Sequence, residues 1–361
     1  MKIAIVWDFL IDRGGAEREI LTLAKVLDAD IITTHYIQKN TYEEFASMRI
    51  ISHPLRTFPT PLLMQKEAAR KLRNIDLSGY DTVISIGNWA AQVSLNKTLK
   101  SRHIHITISP PRIFYDLKPS IERQLGFFKR QVFKTWVHFA AKKDREAYSK
   151  IEEIIVQSLE GKRRIEQYYN KRVHPIILYP PTNVNKFKSG KSYGYFLSVQ
   201  RIMPAKNIEA QIAAFNQIPE EKLIIAGSVL GSKLAYLDQL KKTAKKNIEF
   251  RTNITDKELI SLYSHAKCAI QTSRNEDFGL VPVEAMASGK PCIAVNEGGF
   301  KETVTEKTGI LIDMPYIENL VKAVKNLDKH RFIKSDMIKR SRMFSEDVFI
   351  KKIKKIVFKK L

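Results

Sequence analysis

The sequence is poor in cysteine and has no long apolar run. Its 361 residues include only two cysteines, Cys268 and Cys292, and both fall in short apolar segments that we predict to be buried strands. This excludes a disulfide framework and favours a reducing compartment, so a cytoplasmic protein is expected. No segment approaches the roughly 20 apolar residues of a transmembrane helix, and the first residues are predicted to form a strand instead of a signal peptide.

Signatures of common cofactors are also missing. No G-x-G-x-x-G motif follows a predicted strand, so a dinucleotide site is not supported. Histidine and cysteine do not cluster at zinc spacing. Asp28-Ala-Asp30 has the D-x-D pattern of some metal sites, but it lies between a predicted helix and a strand, at the end of the sheet opposite the one that binds ligands. We interpret it as coincidence and predict neither a metal nor another cofactor.

Acidic residues are scarce relative to basic ones. The chain has 61 Lys and Arg against 38 Asp and Glu, a formal net charge of +23. The excess is spread over both halves, so it is not a basic tail. Nucleic acid, an anionic membrane face, anionic substrates or simply a lysine-rich genome would each account for it. No RNP, KH or helix-turn-helix signature accompanies the charge, so nucleic acid is not a predicted partner.

The sequence does contain a regular alternation of apolar strand-like runs with helix-like segments, which predicts an α/β protein with parallel sheets. The chain is long enough for two domains, and the stiff Pro180-Pro181 pair marks the best boundary. We predict one domain at 1–182 and a second at 183–345, with a C-terminal amphipathic helix at 346–361. The predicted strands are Lys2–Asp8, Asp30–His35, Thr82–Ile86, His103–Ser109, Glu153–Gln157, Tyr193–Gln200, Lys222–Ala226, Ile248–Arg251, Cys268–Ser273, Pro291–Val295 and Gly309–Ile312.

Two glutamates, Glu276 and Glu284, follow the predicted strand at 268–273 with the spacing Glu-x7-Glu. A helix is predicted after Leu280 and is expected to stop at Gly289, which puts Glu284 in its first turn. The free amides of residues 278–280 would then offer an anion site at the helix N-terminus. Because carboxylates repel anions, we interpret the two glutamates as acceptors for hydroxyl groups beside a diphosphate.

This block, with the following Gly-Gly turn, resembles the nucleotide-sugar motif of glycosyltransferase family 4, the retaining enzymes with the GT-B fold. The resemblance implies two Rossmann-like domains facing each other across a cleft, with the acceptor on the N-terminal domain. A hexosyl group would be transferred from a nucleotide sugar without a metal. It also implies that Glu276 contacts the sugar, that Glu284 holds ribose hydroxyls, and that the donor diphosphate lies near the backbone of Phe278, Gly279 and Leu280.

Further segments extend the resemblance. Arg201 and Lys206, in the segment Ser198–Ile208 after a predicted strand, resemble the family's basic pair on the donor diphosphate. Such cations are needed because negative charge grows on the leaving diphosphate. Gly14 and Gly15 resemble the family's G-G-A-E loop beside the donor; the alternative is a tight turn that needs glycine torsions.

The segment Ser109–Asp116 resembles a motif of family members that transfer mannose and related hexoses. Its Arg112 and Asp116 are candidates for the acceptor side. Ile108 stands where those members have a histidine, and His105 is expected to point to the opposite face of the strand. The segment gives a preference for GDP-mannose as donor, while the missing histidine leaves open a catalytically inactive protein that binds a nucleotide sugar or a partner.

A basic, aromatic-rich stretch covers residues 112–150, with ten Lys and Arg against four Asp and Glu. As a helix, it could lie on an anionic membrane surface at the inner face of a membrane. The alternative is a solvated basic face over an aromatic core stripe. We therefore predict a hexosyltransferase of polysaccharide or lipid-linked glycan synthesis, with a nucleotide sugar, a glycan or lipid-linked acceptor and an anionic membrane as partners.

Overall fold

The computed structural model describes residues 1–55, 61–169, 174–229, 231–314 and 316–359. The chain divides into two compact units: unit 1 comprises Met1–Tyr179 with Lys352–Leu361, and unit 2 comprises Pro180–Lys351. The last two residues of the C-terminal helix predicted at 346–361 lie outside the described residues. Among the described residues, no helix combines the length and apolar character needed to cross a bilayer.

Unit 1 is built on one parallel sheet. Its strands are β1 (Ile3–Trp7), β2 (Asp30–Thr33), β3 (Ile50–Ser52), β4 (Thr82–Ile86), β5 (Arg102–Thr107), β6 (Glu153–Val156) and β7 (Ile176–Ile177). They lie in the order β3-β2-β1-β4-β5-β6-β7, and each pairing is parallel. The short edge strands β3 and β7 were not predicted from the sequence, because both are partly exposed and lack a long apolar run.

The crossovers of unit 1 supply its helices. These are α1 (Gly15–Leu27), α2 (Pro61–Leu72), α3 (Lys118–Gln124), α4 (Phe127–Ser149) and α5 (Leu159–Tyr169). The central strands are buried on both faces, which explains why they appear in the sequence as continuous runs of Ile and Val. Glu153 of β6 and the last carbonyls of the C-terminal helix both accept hydrogen bonds from Arg102.

Unit 2 repeats this architecture with six parallel strands. They are β8 (Tyr195–Val199), β9 (Lys222–Gly227), β10 (Ile248–Thr252), β11 (Cys268–Gln271), β12 (Cys292–Val295) and β13 (Gly309–Ile312), in the order β10-β9-β8-β11-β12-β13. The helices are α6 (Ile208–Phe215), α7 (Leu234–Thr243), α8 (Asp256–His265), α9 (Leu280–Ala287), α10 (Phe300–Thr303), α11 (Tyr316–Lys325) and α12 (Lys334–Arg342). The last helix, α13 (Glu346–Val357), begins in unit 2 and ends in unit 1. The predicted α/β class with parallel sheets is confirmed.

Both cysteines lie inside the sheet of unit 2. Cys268 is the first residue of β11 and Cys292 the first of β12, and neither side chain is exposed. Burial raises the pKa of each thiol far above its ordinary value. The thiols are therefore free, protonated core groups, as the sequence predicts.

Helix α4 divides the aromatic residues of the basic stretch between its two faces. Phe133 is buried, and Trp136 packs beside it against Phe114. On the other side, the rings of Phe127 and Phe128 are 68% and 83% exposed, and Val132 and Phe139 are exposed with them. The sequence offered a core stripe and a surface stripe as alternatives; the structure contains both.

Glu19 of α1 is a buried carboxylate that accepts a hydrogen bond from the amide of Gln157. Burial raises the pKa of Glu19 to about 7 from an ordinary value of 4.5, although the hydrogen bond acts in the opposite direction. A raised pKa means that the folded state holds the proton more tightly than the unfolded chain. The stabilisation is therefore present at low pH and is lost as the pH rises through about 7.

We expect Glu19→Gln, which keeps an acceptor for Gln157 but cannot ionise, to reduce the loss of stability between pH 5 and pH 8. One pKa unit corresponds to about 1.4 kcal/mol, so the difference at the higher pH should exceed about 1 kcal/mol. Urea unfolding at a series of pH values measures it. Glu44→Gln, at an exposed position, is the control; equal pH slopes in the two variants would contradict the assignment.

Candidate functional site

The candidate residues of unit 2 surround the point where its strand order reverses. Strand β8 has β9 on one side and β11 on the other, so the segments leaving β8 and β11 diverge at the carboxyl edge of the sheet. Open α/β sheets bind ligands in the crevice at such a point. The segment after β8 carries Arg201 and Lys206, and the segment after β11 carries Glu276.

Lys206 and Glu276 form an ion pair at this edge. The Lys206 Nζ lies 2.7 Å from Glu276 Oε2, and the two side chains are 24% and 28% exposed. The ammonium group can donate three hydrogen bonds, so the pair has donor capacity for an anion beside it. The structure thus brings together two side chains separated by 70 residues in the sequence.

The turn that carries Lys206 is fixed to the end of β11. The Thr272 hydroxyl donates to the backbone carbonyl of Asn207 at 2.9 Å, and Gln211 donates to the same hydroxyl at 2.8 Å. Asn207 takes a left-handed conformation, with φ of 52°, and is the N-cap residue of α6. These contacts hold the backbone beside Lys206 against the strand that leads to Glu276.

Helix α9 begins at Leu280, one residue before the predicted start, and Gly289 follows its end with φ of 67°. Gly279 is the N-cap residue, with φ of 91°, and a Cβ there would lie 2.6 Å from the ring of Phe300. Only glycine fits such a position. The amides of the first turn, with those of Phe278 and Gly279, form the predicted N-terminal segment beside Glu276.

The position of Glu284 in helix α9 differs from the predicted one. It is the fifth residue of α9 and lies in the second turn, because Gly279 fixes the start of the helix at Leu280. There, its Oε2 accepts a 2.6 Å hydrogen bond from the hydroxyl of Tyr263, a buried residue of α8. Burial, and then the nearby Glu284 carboxylate, raise the pKa of Tyr263 well above its ordinary value, so the phenol stays protonated and donates.

Arg201 is exposed in the segment that follows β8, five residues before Lys206. Its placement at the carboxyl edge agrees with the sequence interpretation, and its role on a diphosphate stays a prediction. Among the described residues, no group of three His, Cys, Asp or Glu is arranged to hold a metal ion. Asp30 of the D-x-D pattern instead binds the guanidinium of Arg49 and accepts a hydrogen bond from Tyr80.

The glycine pair of unit 1 also lies at a carboxyl edge, in the segment after β1, where β1 separates β2 from β4. Gly14 is the N-cap residue of α1, with φ of −145°, which is extended backbone that any residue adopts. Neither Gly14 nor Gly15 has a positive φ. A turn that needs glycine torsions therefore does not explain the pair, and close approach to a ligand stays a prediction.

Arg112 and Asp116 form an ion pair with 2.6 Å between Nη2 and Oδ2. The loop between them is anchored by Tyr115, whose hydroxyl donates at 2.7 Å to Asp144, a buried carboxylate of α4. Tyr169 donates to the same Asp144 oxygen, also at 2.7 Å. Sequence reasoning missed Asp144, because its partners lie 29 and 25 residues away.

The two histidines of β5 face the interior of unit 1. Ser85 Oγ lies 2.7 Å from His103 Nε2 and 2.8 Å from His105 Nδ1, and His105 Nε2 lies 3.1 Å from the hydroxyl of Tyr148. Burial lowers the pKa of His103 to about 4. Ile108 follows the last residue of β5, Thr107.

Comparison with known proteins finds a family model that matches unit 2. Residues 181–344 match the family model described as "Glycosyl transferases group 1". The alpha-1,3/1,6-mannosyltransferase of Homo sapiens is 29% identical over 224 residues, which cover 52% of this chain and 53% of that protein. The D-inositol 3-phosphate glycosyltransferase of Mycobacterium sp. (strain KMS) is 33% identical over 121 residues, which cover 32% of this chain and 28% of that protein. The chain thus matches about half, or less, of the length of these relatives.

Solved structures resemble the chain over its whole length. HepE of Anabaena, in complex with UDP, superposes with a TM-score of 0.76 at 17% identity and covers 100% of both chains. Sucrose-phosphate synthase of Thermosynechococcus elongatus gives a TM-score of 0.80 at 17% identity and covers 99% of both. The predicted resemblance is confirmed for residues 181–344, which match the group 1 glycosyltransferase model, and the predicted fold, two Rossmann-like domains of the GT-B type, is confirmed.

The predicted role of Glu284 as a nucleotide ligand leads to a test at its buried neighbour. Tyr263→Phe removes the hydroxyl that fixes one Glu284 oxygen and keeps the ring that packs on Phe187. A hydrogen bond to a charged group is worth about 1.5–3 kcal/mol, so the Kd for the bound nucleoside diphosphate should rise about tenfold or more.

Calorimetric titration of the nucleoside diphosphate measures this change. The matched control is Tyr195→Phe, which removes a buried hydroxyl that donates to the Leu262 carbonyl of the same unit at 2.7 Å. The control should lose stability but keep its affinity. Unchanged affinity in Tyr263→Phe would refute the assigned role of Glu284.

Proposed function

We propose that the chain is a retaining hexosyltransferase of the group 1 glycosyltransferase family, whose model matches residues 181–344. In this proposal, unit 2 binds a nucleotide sugar, and unit 1 binds a glycan or a lipid-linked acceptor. The observation that carries the proposal is the contact between Lys206 and Glu276 at the switch point of the unit 2 sheet, beside the N-terminus of α9. This arrangement combines a cation, a hydroxyl acceptor and the backbone amides of a helix N-terminus.

The proposed chemistry follows from the charges. When the bond between the sugar and the diphosphate breaks, negative charge grows on the diphosphate oxygens. Lys206 and Arg201 would stabilise that charge as fixed cations, and the amides of residues 278–280 would donate hydrogen bonds to it. Glu276, held by Lys206, would accept hydrogen bonds from the sugar, and Glu284, held by Tyr263, would accept them from the ribose.

The donor is proposed to be GDP-mannose. The Pro-x-Arg segment that ends at Arg112 supports a mannosyl donor, as does the name of the human relative, an alpha-1,3/1,6-mannosyltransferase. UDP is the rival base, because HepE of Anabaena was solved with UDP and with UDP-glucose. Thermal unfolding with GDP, UDP and ADP decides the base: the correct diphosphate should raise the Tm at concentrations near its Kd.

A second measurement decides the activity. Release of the nucleoside diphosphate from GDP-mannose, UDP-glucose or a related donor, with and without acceptor glycans, shows whether the protein catalyses transfer or slow donor hydrolysis. A protein that binds the diphosphate and releases none of it from any donor would instead be the inactive sugar-nucleotide binder that Ile108 suggests.

We expect Lys206→Ala and Arg201→Ala each to lower the transfer rate by about 10²–10³, with little change in Tm. The physical reason is the loss of one fixed charge beside the leaving diphosphate. Steady-state kinetics with the identified donor measure the effect, and Lys242→Ala, which removes a cation from the last turn of α7, is the control. If both variants keep at least half of the wild-type turnover, the diphosphate assignment fails.

We further propose that the protein binds anionic membranes through the exposed face of α4, defined by Phe127, Phe128, Val132 and Phe139. The exposed cations of this helix, among them Lys129, support an anionic partner. Apolar rings flanked by lysines are typical of segments that lie at a membrane interface. A lipid-linked acceptor would then be presented at the same surface.

Co-sedimentation with vesicles of phosphatidylglycerol and of phosphatidylcholine tests this binding. We expect binding to the anionic vesicles at low salt and at least partial release at high salt, because the attraction is screened. A double Phe127→Ser and Phe128→Ser variant should bind several-fold more weakly, whereas Leu234→Ser, at an exposed apolar position of unit 2, should not. Failure to bind anionic vesicles at low salt would leave a soluble acceptor.

A further inference from the structure

A carboxylate that none of the assignments above uses lies two residues after the end of β12 at Val295. Glu297 is 20% exposed, and its oxygens meet three donors. Its Oε2 accepts from the backbone amide of Asn275 at 3.1 Å, and its Oε1 lies 3.2 Å from the guanidinium of Arg274. The hydroxyl of Tyr316, the first residue of α11, donates to the same Oε1.

All of these contacts converge on the short segment that carries Glu276. Asn275 has φ of 51°, a left-handed conformation that is unfavourable for a residue with a side chain and needs support from its surroundings. The Glu297 carboxylate supplies that support from one side, since it fixes the amide of Asn275 and the side chain of Arg274. Arg274 in turn lies over the ring of Tyr316, with 5.8 Å between its Cζ and the ring centroid.

The two glycines after Glu297 contact the backbone of Glu276. The Gly299 amide donates to the carbonyl of Glu276 at 2.8 Å. A Cβ on Gly298, whose φ is 57°, would lie 2.2 Å from that carbonyl oxygen. The turn at residues 297–299 thus contacts residues 274–276 in two ways. The Glu297 side chain binds the first part of this segment, and the glycine backbone at 298 and 299 packs against its last residue.

We propose that Glu297 is a positioning residue, which holds the Asn275–Glu276 backbone so that the Glu276 side chain meets both Lys206 and the sugar of the donor. The inference rests on the proposed function for the role of Glu276. Glu297 contacts neither Lys206 nor, in this proposal, the donor. Its effect is transmitted through the Asn275 amide and the Arg274 guanidinium.

The negative charge of Glu297 is balanced by the neighbouring guanidinium of Arg274, so it should not repel an anion in the proposed site. Burial tends to raise its pKa, but the hydrogen bonds from Tyr316 and Arg274 outweigh burial and lower the pKa below its ordinary value. The carboxylate therefore stays ionised and accepts three hydrogen bonds. A neutral amide has one acceptor oxygen and two donors, so it cannot satisfy Asn275, Arg274 and Tyr316 together.

Kinetics of Glu297→Gln and Glu297→Ala with the donor identified above test the proposal. We expect kcat to fall about tenfold in the first and further in the second, since a misplaced catalytic group can cost up to about 10² in rate. The Kd for the nucleoside diphosphate should change less than about threefold, because Glu284 and the α9 amides are untouched. Tyr316→Phe, which leaves the Asn275 and Arg274 contacts, should have a smaller effect than either.

The matched control is Glu249→Gln in β10, since Glu249 also binds two cations, Lys222 at 2.8 Å and Arg251 at 2.5 Å, away from the switch point. A purely structural role predicts that Glu297 variants lose stability as the control does and keep kcat. That outcome would overturn the proposal. Loss of diphosphate affinity in proportion to kcat would overturn it as well, because it would make Glu297 a determinant of the whole site.

Hydrogen exchange separates this inference from the proposed function. The Asn275 amide should exchange at least about tenfold faster in Glu297→Ala than in wild type or Glu249→Gln. If the wild-type protein releases no diphosphate from any donor, the transferase proposal has failed, and the exchange result alone decides whether Glu297 holds this segment. Unchanged exchange of residues 274–276 would refute the positioning role in either case.

Discussion

Parallel strands that are buried on both faces can be joined only by crossover segments, and this constraint decides where the candidate residues of the chain lie. Every strand pairing described in the two sheets is parallel. The carboxyl ends of neighbouring strands therefore share one edge, and the order of strands creates one divergence point in each sheet. Lys206 and Glu276 are far apart in the sequence, but both follow strands that end at this edge, and they therefore meet there.

Three carboxylates in the candidate site of unit 2 each accept a hydrogen bond from a donor of the protein itself. Glu276 has the Lys206 ammonium, Glu284 has the Tyr263 hydroxyl, and Glu297 has the amide of Asn275. A carboxylate near a diphosphate would otherwise repel it and would adopt several rotamers. A donor on one oxygen restricts the rotamer. In the proposed function, this leaves lone pairs of Glu276 and Glu284 for substrate hydroxyls, whereas Glu297 holds the segment that carries Glu276.

Local pattern was sufficient to predict much of this molecule. The buried strands are continuous apolar runs, and the α9 segment has glycine on both sides, so element types and the carboxyl-edge position of Arg201, Lys206 and Glu276 followed from the sequence. Strands β3 and β7 did not, because two or three partly exposed residues at a sheet edge have no distinctive periodicity. Glu284 was placed in the first turn and lies in the second, because the helix starts at Leu280, one residue before the predicted start, and Glu284 is therefore its fifth residue.

The contacts that stabilise the candidate site could not be predicted from the local sequence pattern. Tyr263 has the spacing of an ordinary core residue on α8, and only the fold brings its hydroxyl to Glu284, 21 residues later. Asp144 and Glu297 look like surface charges in the sequence. Their importance depends on which loops the tertiary structure packs against them, and no single-residue property carries that information.

The position of the two thiols has a practical consequence for spectroscopy. Cys268 and Cys292 are the only cysteines in the sequence, and both are sealed within the sheet of unit 2, with the protonated form favoured by burial. A thiolate is the nucleophile that adds to a maleimide, so the native chain, with buried and protonated thiols, should be nearly inert toward such reagents. A pair of cysteines introduced on the surface, one in each unit, could then carry fluorophores without removal of the natural residues, and distances within a working molecule could be followed by energy transfer.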